Sequence, residues 1–375
     1  MCASLINLQP PLERMKVVDP WGDSDVKIDE ALIKEFGLKV FSKEELKKLD
    51  HYLFDRGILV AHRDFQFIQK AMDEKKPFGQ LTGIATSGPL HFGHKVDVDM
   101  FMYFRDKGAK SKFALTDIDA YCSRPDSKIP DMKTAKALAL NNANHVLALG
   151  LKPNEVYAQN QQPSRYFELA FEVSKKITEN TFRGIYGHVD LGKIGANLLQ
   201  YADILHIQLP EFFGTMPTLT CAGVDQDPHA RAVRDIAKRL PYKFFQPSFG
   251  YFQHQAGLQE GKKMSASHPA TAIFLDDAPE VASKKIDRAF SGGRETLEEH
   301  KKLGGEPDKD KTFELLKFHH PDTKKIEEMH EGYSSGNLTT ADLKGFAKDF
   351  ITKFLKEHQK KVAKTESAAH KIVYG

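Results

Sequence analysis

Thr86-Ser87-Gly88-Pro89-Leu90-His91-Phe92-Gly93-His94 follows the apolar run 79–84 and opens a helical pattern over 93–107. A strand, a glycine-proline turn and a helix in that order form one arm of a βαβ unit. The glycines let a ligand approach the backbone, and the helix start offers unpaired N–H groups and a positive dipole end to phosphate. His91 and His94 stand three apart, so on a helix they share a face and can donate to the same phosphate oxygens. A metal pair or two surface histidines fit that spacing as well.

The same alternation continues outward from this turn. Short apolar runs at 111–115, 155–159 and 219–224 read as further strands, and 132–149 and 229–240 as further helices. The alternation predicts an α/β fold built on a parallel sheet, with right-handed crossovers placing helices on both faces. Residues 1–76 read as an appended segment, with a turn at Asp19-Pro20-Trp21, short helical patterns at 28–36 and 43–53, and a charged run at 73–76. An α/β domain is expected over 77–273. A helical domain is expected over 274–375, where strand patterns cease. Within it Leu343, Phe346, Ala347, Phe350, Ile351, Phe354 and Leu355 recur at helical spacing behind a capping pair, Thr339 and Asp342.

Composition excludes several other classes. The 375 residues suffice for two or three packed domains, and 41% hydrophobic with 28% charged residues is a globular balance. A net charge of +3 is compatible with RNA binding but lacks the excess of a nucleic-acid coat. Cys2, Cys122 and Cys221 show no CxxC spacing, so neither a disulfide framework nor a zinc knuckle is indicated, which fits a reducing cytoplasm. No export signal and no run of about 18 apolar residues is present, so a cytoplasmic chain with no membrane span is expected.

Three further stretches carry polar chemistry. Gly261-Lys262-Lys263-Met264-Ser265-Ala266-Ser267 puts a lysine and two hydroxyls on a glycine-flanked loop suited to closing over a triphosphate; a solvated linker is the alternative. Gly223-Val224-Asp225-Gln226-Asp227-Pro228-His229 ends a strand, where ligands bind in open parallel sheets. Asp225 and Gln226 could there receive an ammonium group or ribose hydroxyls, while Asp227 before Pro228 reads as a helix N-cap. In Leu198-Leu199-Gln200-Tyr201-Ala202-Asp203-Ile204-Leu205 the polar Gln200 and Asp203 interrupt an apolar helix, as ligand donors or as a satisfied structural pair.

HxGH after the first strand of the α/β region and KMSAS after the last resemble the joint signature of class I aminoacyl-tRNA synthetases. Within that class the chain is similar to tryptophanyl-tRNA synthetases of the archaeal and eukaryotic type. The similarity lies in Asp19-Pro20-Trp21, Ala61-His62-Arg63-Asp64, the Gly-Val-Asp-Gln-Asp-Pro run, residues 231–235 and Phe290-Ser291-Gly292-Gly293-Arg294-Glu295-Thr296. The resemblance implies a Rossmann-type catalytic domain, an anticodon-reading helical domain and a homodimer. It implies ATP with Mg2+, L-tryptophan and tRNA(Trp) as reactants, with an aminoacyl-adenylate between the two steps. It further implies that His91, His94, Lys263, Ser265 and Ser267 act on the ATP phosphates, and that Gly83, Ser87, Gly93, Asp225 and Met264 also hold ATP, Asp225 at the ribose. Asp119, Gln200 and Gln226 are implied to hold the substrate's α-amino group.

The chain departs from the eukaryotic pattern at Leu81 and Ala114, where a tyrosine and a glutamine help to read the indole N–H. Asp203 is implied as the replacement acceptor, since bacterial members use an aspartate at the matching helix position. KMSAS also lacks the second lysine of the commoner KMSKS. Tyrosyl enzymes share both ATP motifs and a similar aspartate, and a non-aminoacylating RNA-binding relative is a further alternative. The Asp-Gln-Asp-Pro run, Asp119 in place of the histidine of archaeal tyrosyl enzymes, and the Phe-Ser-Gly-Gly-Arg string favour tryptophan.

Overall fold

A computed structural model describes residues 28, 30–188, 190–259, 264–266 and 268–375. The turn at 19–21, Lys263 and Ser267 lie outside the described residues.

Strand β3 (Gly79–Ile84) is buried along nearly its whole length, as a strand covered on both faces must be. Its polar side chains are met internally. Gln80 Nε2 donates to Phe101 O and to Ser111 Oγ, each at 2.8 Å, and Thr82 Oγ1 donates to Cys221 O at 2.9 Å. Parallel to β3 run β4 (Lys110–Leu115), β5 (Val156–Ala158), β6 (Thr218–Gly223) and β7 (Ser248–Phe252), in the spatial order β5-β4-β3-β6-β7. The winding therefore reverses between β3 and β6, and sheets of this kind bind ligands at the strand carboxyl ends beside that reversal.

Two strands join the β7 edge antiparallel, β2 (Leu59–Arg63) directly and β1 (Lys39–Val40) outside it. The segment before Pro77 is thus part of the sheet edge. Neither these strands nor β7 were among those expected. β7 reads Ser-Phe-Gly-Tyr-Phe and is buried throughout, so it shows no period-two polarity. The helix expected over 43–53 is two helices, Lys43–Leu49 and Tyr52–Asp55. Asp50 enters the left-handed region at φ 47° and ends the first, and His51 accepts from Leu53 N–H to start the second.

Alternate strand residues supply opposite faces of the sheet. Ile84, Phe113, Leu115 and Val156 join a cluster that continues through Leu90, Phe92 and Phe274 to Leu343, Ile351 and Leu355. Leu81, Ala114 and Tyr157 join another with Tyr166, Tyr201, Leu205 and Val233. Helices cover both faces accordingly. The long helix Thr340–Val362, opened by the Thr339/Asp342 capping box, sets Phe354 against Phe92, the residue after His91.

Candidate active site

The histidine turn is built by the start of the helix Phe92–Asp106. His91 is the residue before the helix, with extended backbone, and not its first turn as its spacing suggested. Its N–H donates to His94 Nδ1 at 3.4 Å, and the two imidazoles stack with centroids 3.8 Å apart. They therefore stand side by side, as joint contact with one phosphate requires.

A segment far along the chain clamps this turn. Phe92 N–H donates to Ile273 O at 3.1 Å and Leu275 N–H to Leu90 O at 2.8 Å. The same segment brings in the KMSAS loop: a methyl added to Gly93 would lie 3.5 Å from Met264 Cβ, and one on Gly88 3.0 Å from Ala266 Cβ. The added methyl at Gly93 would also come within 2.9 Å of the His91 ring, so only glycine fits between imidazole and loop.

Beside the turn, a cleft of about 280 Å³ opens at the carboxyl ends of β3 and β6. Of the residues implicated by sequence, Gly83, His94, Asp119, Gln200, Asp203, Asp225 and Gln226 line it. Ser87, His91, Gly93, Met264 and Ser265 are not among its walls; they belong to the adjoining turn and loop. Gly83 is set by sheet spacing, because a methyl there would come within 2.7 Å of Ala114 O.

The carboxylates of the cleft differ in their surroundings. Asp225 Oδ1 lies 2.7 Å from His254 Nε2, and a weak amide chain runs from Gln200 Nε2 to Gln226 Oε1 and from Gln226 Nε2 to Asp225 Oδ2, each step 3.4 Å. Asp119 accepts from Ser123 Oγ at 3.1 Å, and burial pushes its carboxyl up to about 6. Asp203, 2% exposed, accepts from Tyr157 OH at 2.6 Å, Tyr166 OH at 2.8 Å and Gln159 Nε2 at 2.7 Å. Burial outweighs those three donors and pushes it up to about 7. Leu81 and Ala114 contribute only apolar wall.

Three site groups were not found from sequence, His254 beside Asp225 being one. Asp97 lines the cleft; burial, opposed by His254 and reinforced by Asp225, pushes it up to about 7. It stands three residues beyond His94 on the same helix, a spacing that could have revealed it. Gln159 is wholly buried behind the wall, and nothing in its local pattern marks it.

Asp227 is not a helix N-cap. It is itself the first helical residue, fully buried, and meets Arg63, Arg231 and Tyr251 instead of backbone N–H groups. Burial depresses the neighbouring His229 to about 3, leaving it neutral, and its Nδ1 lies 2.7 Å from Tyr186 OH.

A stacked histidine pair thus lies beside a serine-bearing loop at the winding reversal of the sheet, and comparison with known proteins gives the family. The family model for class I tRNA synthetases (W and Y) matches residues 73–356. The chain belongs to this family. It is 36% identical to the tryptophan–tRNA ligase of Aeropyrum pernix, over 95% of this chain and 97% of that one, and 37% identical to that of Methanocaldococcus jannaschii, over 96% and 100%. The crystal structure of the Aeropyrum pernix tryptophanyl-tRNA synthetase superposes with a TM-score of 0.85 over 94% of this chain and 98% of that one, at 36% identity. The Encephalitozoon cuniculi tryptophanyl-tRNA synthetase, solved with tryptophan bound, superposes with a TM-score of 0.81 at 28% identity, covering 94% and 99%.

Proposed function

We propose that the chain activates L-tryptophan with ATP and transfers it to tRNA(Trp). The tryptophan carboxylate attacks the α-phosphate of ATP, pyrophosphate leaves, and a terminal ribose hydroxyl of the tRNA then takes the aminoacyl group and releases AMP. Such chemistry depends on positioning and charge neutralisation more than on a dedicated base.

The observation that carries the reading is the seating of Met264 and Ala266 against Gly93 and Gly88, which puts the serine-bearing loop and both imidazoles on one small volume. In this reading His91, His94, Lys263, Ser265 and Ser267 neutralise the phosphates, and Asp225 meets the ribose. Asp119, Gln200 and Gln226 hold the α-amino group, and Asp203 accepts the indole N–H. Mg2+ enters with the nucleotide, carried on its phosphates. Among the described residues no group of three or more His, Cys, Asp or Glu side chains could hold a metal ion.

The helices after Phe274 read the anticodon, and the active form is a cytoplasmic homodimer. Exposed apolar Phe171 and Leu191, on the packed helices Ser164–Ser174 and Leu191–His206, are surface suited to a second copy. No helix among the described residues is long and apolar enough to cross a membrane.

Amino-acid-dependent exchange of pyrophosphate into ATP tests the substrate. Tryptophan should stimulate exchange strongly and tyrosine weakly. Equal or inverted stimulation would move the substrate to tyrosine, and no exchange with any amino acid would leave an RNA-binding role.

A further inference from the structure

Gln159 is the first residue after β5 and opens the short turn Gln159–Gln161. It has no accessible surface, yet both ends of its amide are engaged with residues of the cleft wall. Its Nε2 donates to Asp203 Oδ2 at 2.7 Å, and its Oε1 accepts the Asp119 backbone N–H at 3.0 Å. We infer that Gln159 is a positioning residue for substrate selection, one amide that sets the acceptor for the ring N–H and the carboxylate for the α-amino group in a fixed relation. The inference rests on the tryptophan reading above and extends it to a residue outside the cleft.

The chemistry of the amide makes the link directional. A flipped amide would set its oxygen against the Asp203 carboxylate and its NH2 against the Asp119 N–H, so only one orientation is compatible with both neighbours. A carboxylate offers about four lone-pair directions. Tyr157 and Tyr166 occupy those of Oδ1 and Gln159 takes one of Oδ2. The direction that remains accepts one more donor. With Leu81 and Ala114 apolar, an aromatic ring that carries no donor leaves that position unmet, which is the costly case for a buried acceptor. At the other end Gln159 anchors the backbone of Asp119, whose side chain is steadied by Ser123. Loss of the amide therefore acts on both ends of the amino acid and spares the nucleotide side.

The test compares the unsubstituted chain with Gln159→Leu and Tyr157→Phe by pyrophosphate exchange. The probes are tryptophan, the benzothienyl analogue in which sulfur replaces the ring N–H, and indole-3-propionate as a competitive inhibitor without the amino group. Gln159→Leu should narrow the kcat/KM preference for tryptophan over the sulfur analogue by about tenfold. It should also narrow the advantage of tryptophan over indole-3-propionate, with the KM for ATP unchanged. Tyr157→Phe, which removes a donor to Asp203 alone, should narrow only the first ratio. Gln159→Asn keeps the amide but shortens its reach and should show the Leu pattern at smaller size; it decides the matter if Gln159→Leu does not fold. Unchanged ratios, or a rise confined to the KM for ATP, overturn the inference. Absence of tryptophan-dependent exchange in the unsubstituted chain instead overturns the substrate reading on which it stands.

Discussion

Arg63 Nε donates to Asp227 Oδ1 at 2.7 Å across 164 residues of sequence. The guanidinium also reaches Asp227 Oδ2 at 3.0 Å and Phe36 O at 2.5 Å, so one side chain joins β2, the first described helix and the helix Asp227–Arg239. Asp227 is fully buried, and its carboxylate follows Asp225 and Gln226 directly. Removing one partner of a buried pair leaves an uncompensated charge. Arg63→Ala should cost about 3 kcal/mol of stability, read as a lower urea midpoint. Arg63→Lys should restore only part of it, because a lysine cannot reproduce the two-pronged contact. A midpoint unchanged in Arg63→Ala would mean that Arg231 and Tyr251 suffice.

Asp97 should make stability depend on pH. Burial holds its carboxyl up at about 7 in the folded chain, well above its ordinary value. Between those values the folded state binds more protons than the unfolded one, so the contribution of Asp97 is present at acid pH and is lost as pH rises through 7. Asp97→Asn should remove this slope and gain about 2 kcal/mol relative to the unsubstituted chain between pH 5 and pH 8, after allowance for water in the cleft. Parallel denaturation curves for the two proteins at both pH values would contradict the assignment.

In the proposed reading Asp203 should link pH to substrate affinity. Its carboxyl, held up at about 7 by burial, becomes the stronger acceptor as it ionises. The KM for tryptophan should therefore fall as pH rises through 7, and Asp203→Asn should flatten that profile. Asp203→Ala should weaken tryptophan by roughly 1–3 kcal/mol, the cost of leaving a buried donor without its partner. A KM that ignores both substitutions would place the ring reader elsewhere in the cleft.

Lys263 is expected to act on charge that develops during reaction. Lys263→Ala should lower kcat for exchange with little change in the KM of either substrate, because the contact strengthens only as pyrophosphate departs. Equal loss of ATP affinity would assign the lysine to ground-state binding instead.

Much of this molecule was legible in local pattern. The parallel strands at 79–84, 111–115 and 219–224, the helix Met132–Leu149 and the Thr339/Asp342 cap follow from periodicity and capping chemistry, which act over a few residues. The strands at the β7 edge were not legible, since β1 is two residues long and β7 is buried on both faces. Asp227 misled for a related reason: an aspartate before proline at a helix start suits a cap, and only the arrival of Arg63 and Tyr251 from elsewhere changes its role.

The chain order of its motifs is enough to establish an α/β fold, two phosphate-suited loops and a family, because turn glycines, helix starts and hydrophobic period are local properties. Which side chains meet is another matter. That the KMSAS loop lies against Gly88 and Gly93, that Asp97 faces the same cleft as Asp225, and that Gln159 joins Asp119 to Asp203 depend on strand order and helix packing. Those contacts join residues far apart along the chain, and burial sets their energies only once the whole sheet and its covering helices are in place.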